Sequence, residues 1–228
     1  KNDQIMNKTF LLFVLIGSLA GSVFAQQGVK IGLRFSPIVS FATITDSSNN
    51  TVSDDMGSRV GLSYGLMLNY GLTDNLGFQS GVHIVTKGFN RSAQVDSVPT
   101  TQDVRITTVE IPVALRGRSP EIGNGLFITG LFGVSLDVSA GYRNQYTGLD
   151  PVTKERQESG TKSGANLVTP VNLSFIFGAG VDIEQDWGTV HTGLSFHRGL
   201  TNMNNRSNFG NQESIRVSYV ALDLGYFF

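Results

Sequence analysis

Three side chains capable of acid–base chemistry recur at alternate positions in one short stretch. His191, Ser195 and His197 share one parity of the sequence, and residues of one parity lie on the same face of an extended strand. A serine two positions from a histidine could begin a nucleophile–base pair, and the two histidines could begin a metal site. No acid has an assigned third role, and no carboxylate has the local spacing of a known metal motif. The pattern therefore favours buried, hydrogen-bonded polar residues, and we predict no catalytic, metal or cofactor site.

Charged residues that alternate with apolar ones form a second candidate group. Asp182, for example, lies between Val181 and Ile183. Charges buried on one face of a sheet must pair with opposite charges, so we expect a network of ion pairs. The members of this group are Lys30, Arg34, Glu110, Arg116, Asp137, Asp182 and Asp223.

The stretch Val171–Ile183 indicates which kind of element positions these side chains. Its odd-numbered residues are all apolar, and its even-numbered residues are mostly small or polar, with one charge at Asp182. This period of two predicts a strand and not a helix. A continuous apolar face opposite a face containing Gly and Ser is typical of a strand that lies between lipid and a narrow barrel lumen.

Eight segments of the chain alternate in this way, and their connections differ in length. Short turns are predicted at 72–75, 118–125 and 185–188, and polar loops at 46–56, 89–103, 142–170 and 201–213. Pro37 predicts a bulge in the first segment. The pattern predicts an all-β fold, an eight-stranded antiparallel up-and-down transmembrane β-barrel, with short periplasmic turns, long extracellular loops and both termini in the periplasm. The predicted segments are 29–41, 60–70, 76–85, 108–116, 126–138, 171–183, 190–197 and 220–228.

The predicted barrel places both candidate groups in its lumen. An eight-stranded barrel is just wide enough for side chains to fill it, so we expect the charged group to form a plug. A narrow ion or solute path is the alternative. The histidines, including His83, also point inward, away from the lipid where an acyl substrate would lie. The Gly178–Gly180 run lies inside a strand, which argues against a nucleotide-binding loop.

Aromatic residues predict the two edges of the membrane. The periplasmic girdle is predicted from Tyr70, Phe78, Trp187, Tyr226 and Phe228. The outer girdle is predicted from Phe35, Phe41, Phe89 and Tyr142.

The first residues and the composition indicate an exported protein. Residues 6–25 match a secretory signal peptide, with Lys8, an apolar run and a small-residue cleavage site ending at Ala25. Residues 1–25 are therefore predicted to be a signal peptide with upstream residues, and 26–228 the barrel domain. The chain has 228 residues, 27 of them Gly, and no Cys, which excludes disulfides. A net charge of −1 argues against a nucleic-acid partner.

Several short motifs resemble a known family. Gly28–Gly32 opens the first segment, Val109–Pro112 lies in the fourth, and Gly193–Phe196 precedes Gly199–Asn202 near the seventh. In these motifs the chain resembles the PorT-like outer-membrane β-barrel family of Bacteroidetes. The closing Tyr226–Phe228 also resembles the signal recognised by the outer-membrane barrel assembly machinery. The resemblance implies an outer-membrane barrel without a shared catalytic motif, some of whose members serve a protein-secretion apparatus.

The predicted function is that of a non-enzymatic scaffold or partner-binding barrel. Its location would be the outer membrane, with lipid around the barrel and a possible protein partner at the extracellular loops, because barrels keep recognition in their loops. The alternatives are a small lipid-acting hydrolase that uses Ser195 and His197, and a narrow channel.

Overall fold

The computed structural model describes residues 28–45, 51–52, 56–95, 98–149, 156–163, 168–204 and 214–228. Within these ranges the regular structure is β-strand. In the same ranges no helix is long and apolar enough to cross a membrane. The predicted signal peptide lies outside the described residues.

The strands differ in length, and those near the middle of the chain are the longest. In chain order they are β1 (Val29–Thr45), β2 (Thr51–Val52), β3 (Met56–Gly57), β4 (Arg59–Gly71), β5 (Leu76–Val95), β6 (Val98–Arg118), β7 (Leu126–Leu149), β8 (Arg156–Ser163), β9 (Val171–Gln185), β10 (Gly188–Gly199) and β11 (Ser214–Phe227).

Eight of these strands close into an antiparallel barrel in the order β1, β4, β5, β6, β7, β9, β10 and β11, and β11 pairs back onto β1. The cross-strand pairs can be followed once around the barrel, from Val39 on β1 through Val220 on β11 to Tyr70 on β4 and then back to β1 at Val29. The first and last residues of this circuit lie ten positions apart on β1, which is the stagger of the barrel. A stagger of this kind requires the strands to tilt by about 35–45° from the barrel axis. The eight-stranded barrel that the sequence predicts is confirmed.

The two ends of the barrel differ. β4 and β5 are joined through residues 72–75, β6 and β7 through 119–125, and β9 and β10 through 186–187, close to the predicted turns. We call this the turn end. The opposite end, where β1 leads to β4, β5 to β6, β7 to β9 and β10 to β11, is called the loop end.

The outer surface over most of the barrel is apolar. On β9 the side chains of Val171, Phe175 and Phe177 are exposed, whereas Asn172 and Ser174 are buried in the lumen. The other barrel strands follow the same alternation, with large apolar side chains exposed on the outside. This exposed belt is the surface that the sequence predicts to face lipid.

Near the loop end the polarity of the inner and outer faces of the barrel is reversed. On β6, Ile111 and Val113 point outward, but Val104 and Ile106 are buried inside. Similar inward apolar residues on neighbouring strands form a cluster that fills this end of the barrel, so that it resembles the core of a water-soluble protein. The apolar cap consists of Ala42, Ile44, Phe89, Val104, Ile106, Tyr142, Val168, Met203, Ile215 and Val217.

The reversal corrects several sequence predictions. Of the predicted loop 89–103, the described residues 89–95 and 98–103 are strand, because β5 continues to Val95 and β6 begins at Val98. Much of the predicted loop 142–170 is also strand, in β7 and β8. Of the loops 46–56 and 201–213, only residues 51–52, 56 and 201–204 are described.

Phe89 and Tyr142 do not belong to an outer girdle, since they are only 1% and 6% exposed inside the apolar cap. Phe89 has the inward parity of β5. Tyr142 is inward because Thr108 pairs with Ser139 while Thr107 pairs with Gly141, a bulge that shifts the phase of β7. Pro37, in contrast, keeps continuous register with β4, so the predicted bulge there is wrong.

Candidate functional site

The lumen is lined by layers of paired charges, and the first lies at the turn end. Lys30 Nζ on β1 donates to Glu184 Oε1 on β9 at 2.7 Å. Arg118 on β6 also pairs with Glu184. The Lys30 and Glu184 side chains are each 39% exposed, so this layer is in contact with water.

The second layer lies one step deeper. Arg116 Nη2 on β6 lies 2.7 Å from both carboxylate oxygens of Asp182 on β9. His191 Nδ1 on β10 lies 2.7 Å from Asp182 Oδ1. An arginine and an imidazole therefore share one buried carboxylate.

The third layer joins the first and last strands of the barrel. Arg34 on β1 pairs with Asp223 on β11. Ser36 Oγ donates to the same carboxylate at 2.8 Å, and it accepts from Arg34 Nε at 2.9 Å. His83 Nδ1 on β5 lies 3.3 Å from Arg34 Nη1.

The fourth layer has one cation for two carboxylates. Lys87 Nζ on β5 lies 2.7 Å from Glu110 Oε1 on β6 and 2.9 Å from Asp137 Oδ2 on β7. All three side chains are about 1% exposed. Ser135 and Ser174 donate to Asp137 at 2.8 and 2.9 Å, which satisfies further carboxylate lone pairs.

The candidate nucleophile–base pair lies beside this layer. Ser195 Oγ is 3.3 Å from His197 Nε2. Tyr219 donates its hydroxyl hydrogen to Glu110 Oε2 at 2.6 Å, so its oxygen accepts from His197 Nδ1 at 2.8 Å. Ser195 and His197 are each 2% exposed, and both face the lumen. The pair has the spacing of a nucleophile and a base, but the barrel wall separates it from the surface that faces lipid.

Small cavities lie between the layers at the turn end. One of about 190 Å³ is lined by Lys30, Arg116 and Arg118 together with residues of the 72–75 turn. Another of about 20 Å³ lies between the second and third layers, where it touches Arg34 and His191. The smaller one has room for about one water molecule.

All seven predicted lumen charges lie in these layers, but only some of them form ion pairs with each other. Arg116–Asp182 and Arg34–Asp223 pair two predicted residues. Lys30, Glu110 and Asp137 instead pair with residues that the sequence analysis did not select.

Four partners lie outside the predicted group of lumen charges: Lys87, Glu184, Arg118 and Tyr219. Lys87 and Tyr219 carry the inward parity of β5 and β11, so extending the alternation beyond the apolar segments would have found them. Glu184 and Arg118 follow the parity of Asp182 and Arg116 at the strand ends.

Aromatic residues surround the turn end. Tyr70, Phe78, Trp187 and Phe228 are exposed. Tyr226 stacks on Trp187 with ring centroids 5.8 Å apart, and it meets Phe228 edge-on at 5.1 Å. Phe35 and Phe41 are exposed on β1.

A bound metal ion requires a cluster of suitable ligand side chains. In the part of the chain that the structure describes, no group of three or more His, Cys, Asp or Glu side chains is arranged to hold a metal ion. Asp182 and His191 form a pair and lack a third such ligand there.

Several solved structures are similar to this chain over most of its length. Ail of Yersinia pestis is 14% identical with a TM-score of 0.37, covering 87% of this chain and 99% of that chain. Neisserial surface protein A is 10% identical with a TM-score of 0.42, covering 89% and 100%. A major outer membrane protein of Thermus thermophilus is 11% identical with a TM-score of 0.45, covering 86% and 99%.

The family comparison covers most of the sequence. No curated protein matches the chain significantly. Residues 24–220 match the family described as outer membrane protein beta-barrel domain. The closed eight-stranded barrel with an apolar exterior agrees with that description. The chain therefore belongs to the outer membrane protein beta-barrel domain family and is an outer-membrane β-barrel.

Proposed function

We propose that this protein is a non-enzymatic outer-membrane barrel that acts as a scaffold or partner-binding protein through its loop end. The observation that carries the proposal is the filled lumen. Four layers of charged side chains and the apolar cap occupy it from one end to the other. A barrel filled in this way leaves recognition to the segments outside the membrane.

The proposal includes an orientation. The loop end faces the cell exterior, and both termini lie in the periplasm, as is usual for barrels with short turns at one end and longer connections at the other. β6 and β7 have 21 and 24 residues, although about 9–11 suffice to cross the apolar layer. Their loop-end halves therefore extend beyond the membrane and offer a surface to a partner.

The proposed biological setting is protein secretion. The Gly28–Gly32, Val109–Pro112 and Gly193–Phe196 motifs support a place among the PorT-like barrels of Bacteroidetes, some of which serve a secretion apparatus. The aromatic run Tyr226–Phe228 supports recognition by the barrel assembly machinery. Phe228 is exposed, and its backbone N–H donates to Ile31 O at 2.9 Å.

Site-specific photo-crosslinking in the native outer membrane tests the proposed role. A photoreactive residue at Thr161, in β8 at the loop end, should give one dominant protein adduct. The same residue at Asp74, in a turn at the opposite end, is the matched control and should not give that adduct. The absence of an adduct from β8, or the same adduct from both ends, would contradict a partner at the loop end.

A lipid-acting hydrolase is the second candidate, favoured by the 3.3 Å contact between Ser195 and His197. Its test compares phospholipid hydrolysis by purified wild-type protein with hydrolysis by the His197→Ala variant. We expect no hydrolysis by either, because both side chains are enclosed by the barrel. Hydrolysis that disappears in the variant would replace the scaffold proposal with an enzyme.

A further inference from the structure

Charged side chains on the outside of the described barrel strands lie beyond the apolar belt or at its margin. The described turns at the turn end carry Asp74, Glu121 and Asp186, all exposed. The margin towards the loop end carries four exposed arginines. This arginine rim consists of Arg105, Arg143, Arg198 and Arg216.

Arg105 and Arg143 lie directly opposite each other on β6 and β7. Side chains at such positions are neighbours, and like charges there destabilise a sheet unless a counter-charge is present. No described carboxylate pairs with either of them. Asp103, two positions before Arg105 on β6, already pairs with Arg59. The geometry therefore leaves two adjacent guanidinium groups for an external anion.

The distance of Arg105 and Arg143 from the apolar belt, measured along the barrel axis, is suited to contact with the surface of the membrane. Arg105 lies four residues beyond Val109, the last apolar outward residue of β6. At about 3.3 Å per residue and a tilt of about 40°, the offset along the barrel axis is about 10 Å. A long arginine side chain can bridge much of this distance towards lipid head groups.

Arg198 and Arg216, both exposed, lie on the neighbouring strands β10 and β11 without being directly opposite each other. Arg198 pairs in register with Phe175 on β9, an exposed member of the apolar belt. Nearby on the outer surface, the rings of Phe41 on β1 and Phe196 on β10 stack across the intervening strand β11. Their ring centroids are 6.3 Å apart. Cations and exposed aromatic rings thus lie together, a combination suited to a molecule with both an anionic head and acyl chains.

We propose that the arginine rim binds the negatively charged, phosphate-bearing head groups of anionic lipids that surround the loop end of the barrel. Arginine suits this task because its planar guanidinium can donate two parallel hydrogen bonds to phosphate oxygens. The acidic turns at the other end have no such affinity, so the barrel would hold anionic lipid in one leaflet only.

Spin-label measurements of lipid at the protein surface test this proposal. The protein is reconstituted in phosphatidylcholine bilayers that contain a trace of spin-labelled phosphatidic acid or, separately, spin-labelled phosphatidylcholine. Wild-type protein should associate preferentially with phosphatidic acid, and high salt should weaken the preference. Replacing the four arginines by Gln should reduce the preference at least about fivefold. The matched control replaces all four by Lys, which keeps the charge, and should retain most of the preference.

Three results would overturn the proposal: an unchanged preference in the Gln variant, an equal loss in the Lys variant, or displacement of the labelled lipid by millimolar inorganic phosphate. The last would indicate a site for soluble phosphate. The four side chains are exposed and form no ion pair with described residues, so both variants should fold, which heat-modifiable migration on a gel verifies.

Discussion

Replacing Lys87 by Met removes the cation that lies between two buried carboxylates. In the wild-type protein Lys87 Nζ is 2.7 Å from Glu110 and 2.9 Å from Asp137, and the three side chains are about 1% exposed. Breaking a buried ion pair from one side costs about 3–5 kcal/mol, because the remaining charge is left without compensation. Met keeps much of the side-chain volume, so a cavity contributes little to this loss.

Lys30→Met is the matched control, since it removes the same group from the turn end. The pair of Lys30 and Glu184 is 39% exposed on both sides, and exposed pairs contribute about 0–1 kcal/mol. Glu184 also keeps Arg118 as a partner. We therefore expect Lys87→Met to be less stable than Lys30→Met by at least about 2 kcal/mol.

Equilibrium urea unfolding in lipid vesicles measures this difference. Trp187 is the single tryptophan and is exposed at the turn end, so its fluorescence reports unfolding in each variant. Adding Glu110→Gln and Asp137→Asn to Lys87→Met removes the uncompensated charges and should recover part of the stability. If Lys87→Met matched Lys30→Met within about 1 kcal/mol, or if the triple variant were no more stable, the lumen charges would not be paired as described.

Three further predictions concern the outer surface and the fold. Phe177→Arg, near the middle of the apolar belt, should cost about 2–4 kcal/mol in vesicle unfolding, whereas Val171→Arg at the end of the same face should cost about 0–1 kcal/mol; equal costs would contradict a lipid-facing belt. A Cys at Phe177 should react with a lipid-soluble thiol probe and resist a water-soluble one, and a Cys at Thr161 should react with the water-soluble probe on intact cells. Labelling at Thr161 only after the outer membrane is opened would invert the proposed orientation. Detergent-solubilised protein should show a strand-dominated circular dichroism spectrum and heat-modifiable migration, and a helical spectrum would refute the barrel.

The lipid-facing part of the fold could be predicted from the sequence because one physical rule governs it. In a tilted strand that crosses lipid, outward residues must be apolar and inward residues can be polar. Val171–Ile183 follows this rule along its length, and its exposed and buried residues alternate as the sequence predicts. The short turns were also predictable, since the alternation stops where each strand ends.

The loop-end part could not be predicted in the same way because the rule reverses there. Beyond the membrane the outside of the barrel meets water, so apolar residues such as Ile106 move to the inside. The change of parity between Val109 and Ile106 resembles the end of a strand, so the pattern predicts a loop there. The bulge at Ser139–Gly141 adds a second change of phase, which brings Tyr142 into the apolar cap.

Strand parity selects part of the lumen network, but it gives neither all of the members nor their pairing. Parity places Arg34 and Asp223 on the inner face, yet which cation meets which carboxylate depends on the stagger of the closed barrel. β1 reaches β9 across the lumen in the contact between Lys30 and Glu184, residues 154 positions apart. No local pattern in the sequence encodes such a contact.

Planar-bilayer recording tests the central claim, a lumen filled by side chains, most directly. Purified wild-type protein inserted into a bilayer should give no stable conductance, because the four charged layers and the apolar cap lie in series along the barrel axis. A porin inserted under the same conditions provides the positive control. Reproducible open channels of the wild-type protein would contradict the filled lumen and make the channel the better account.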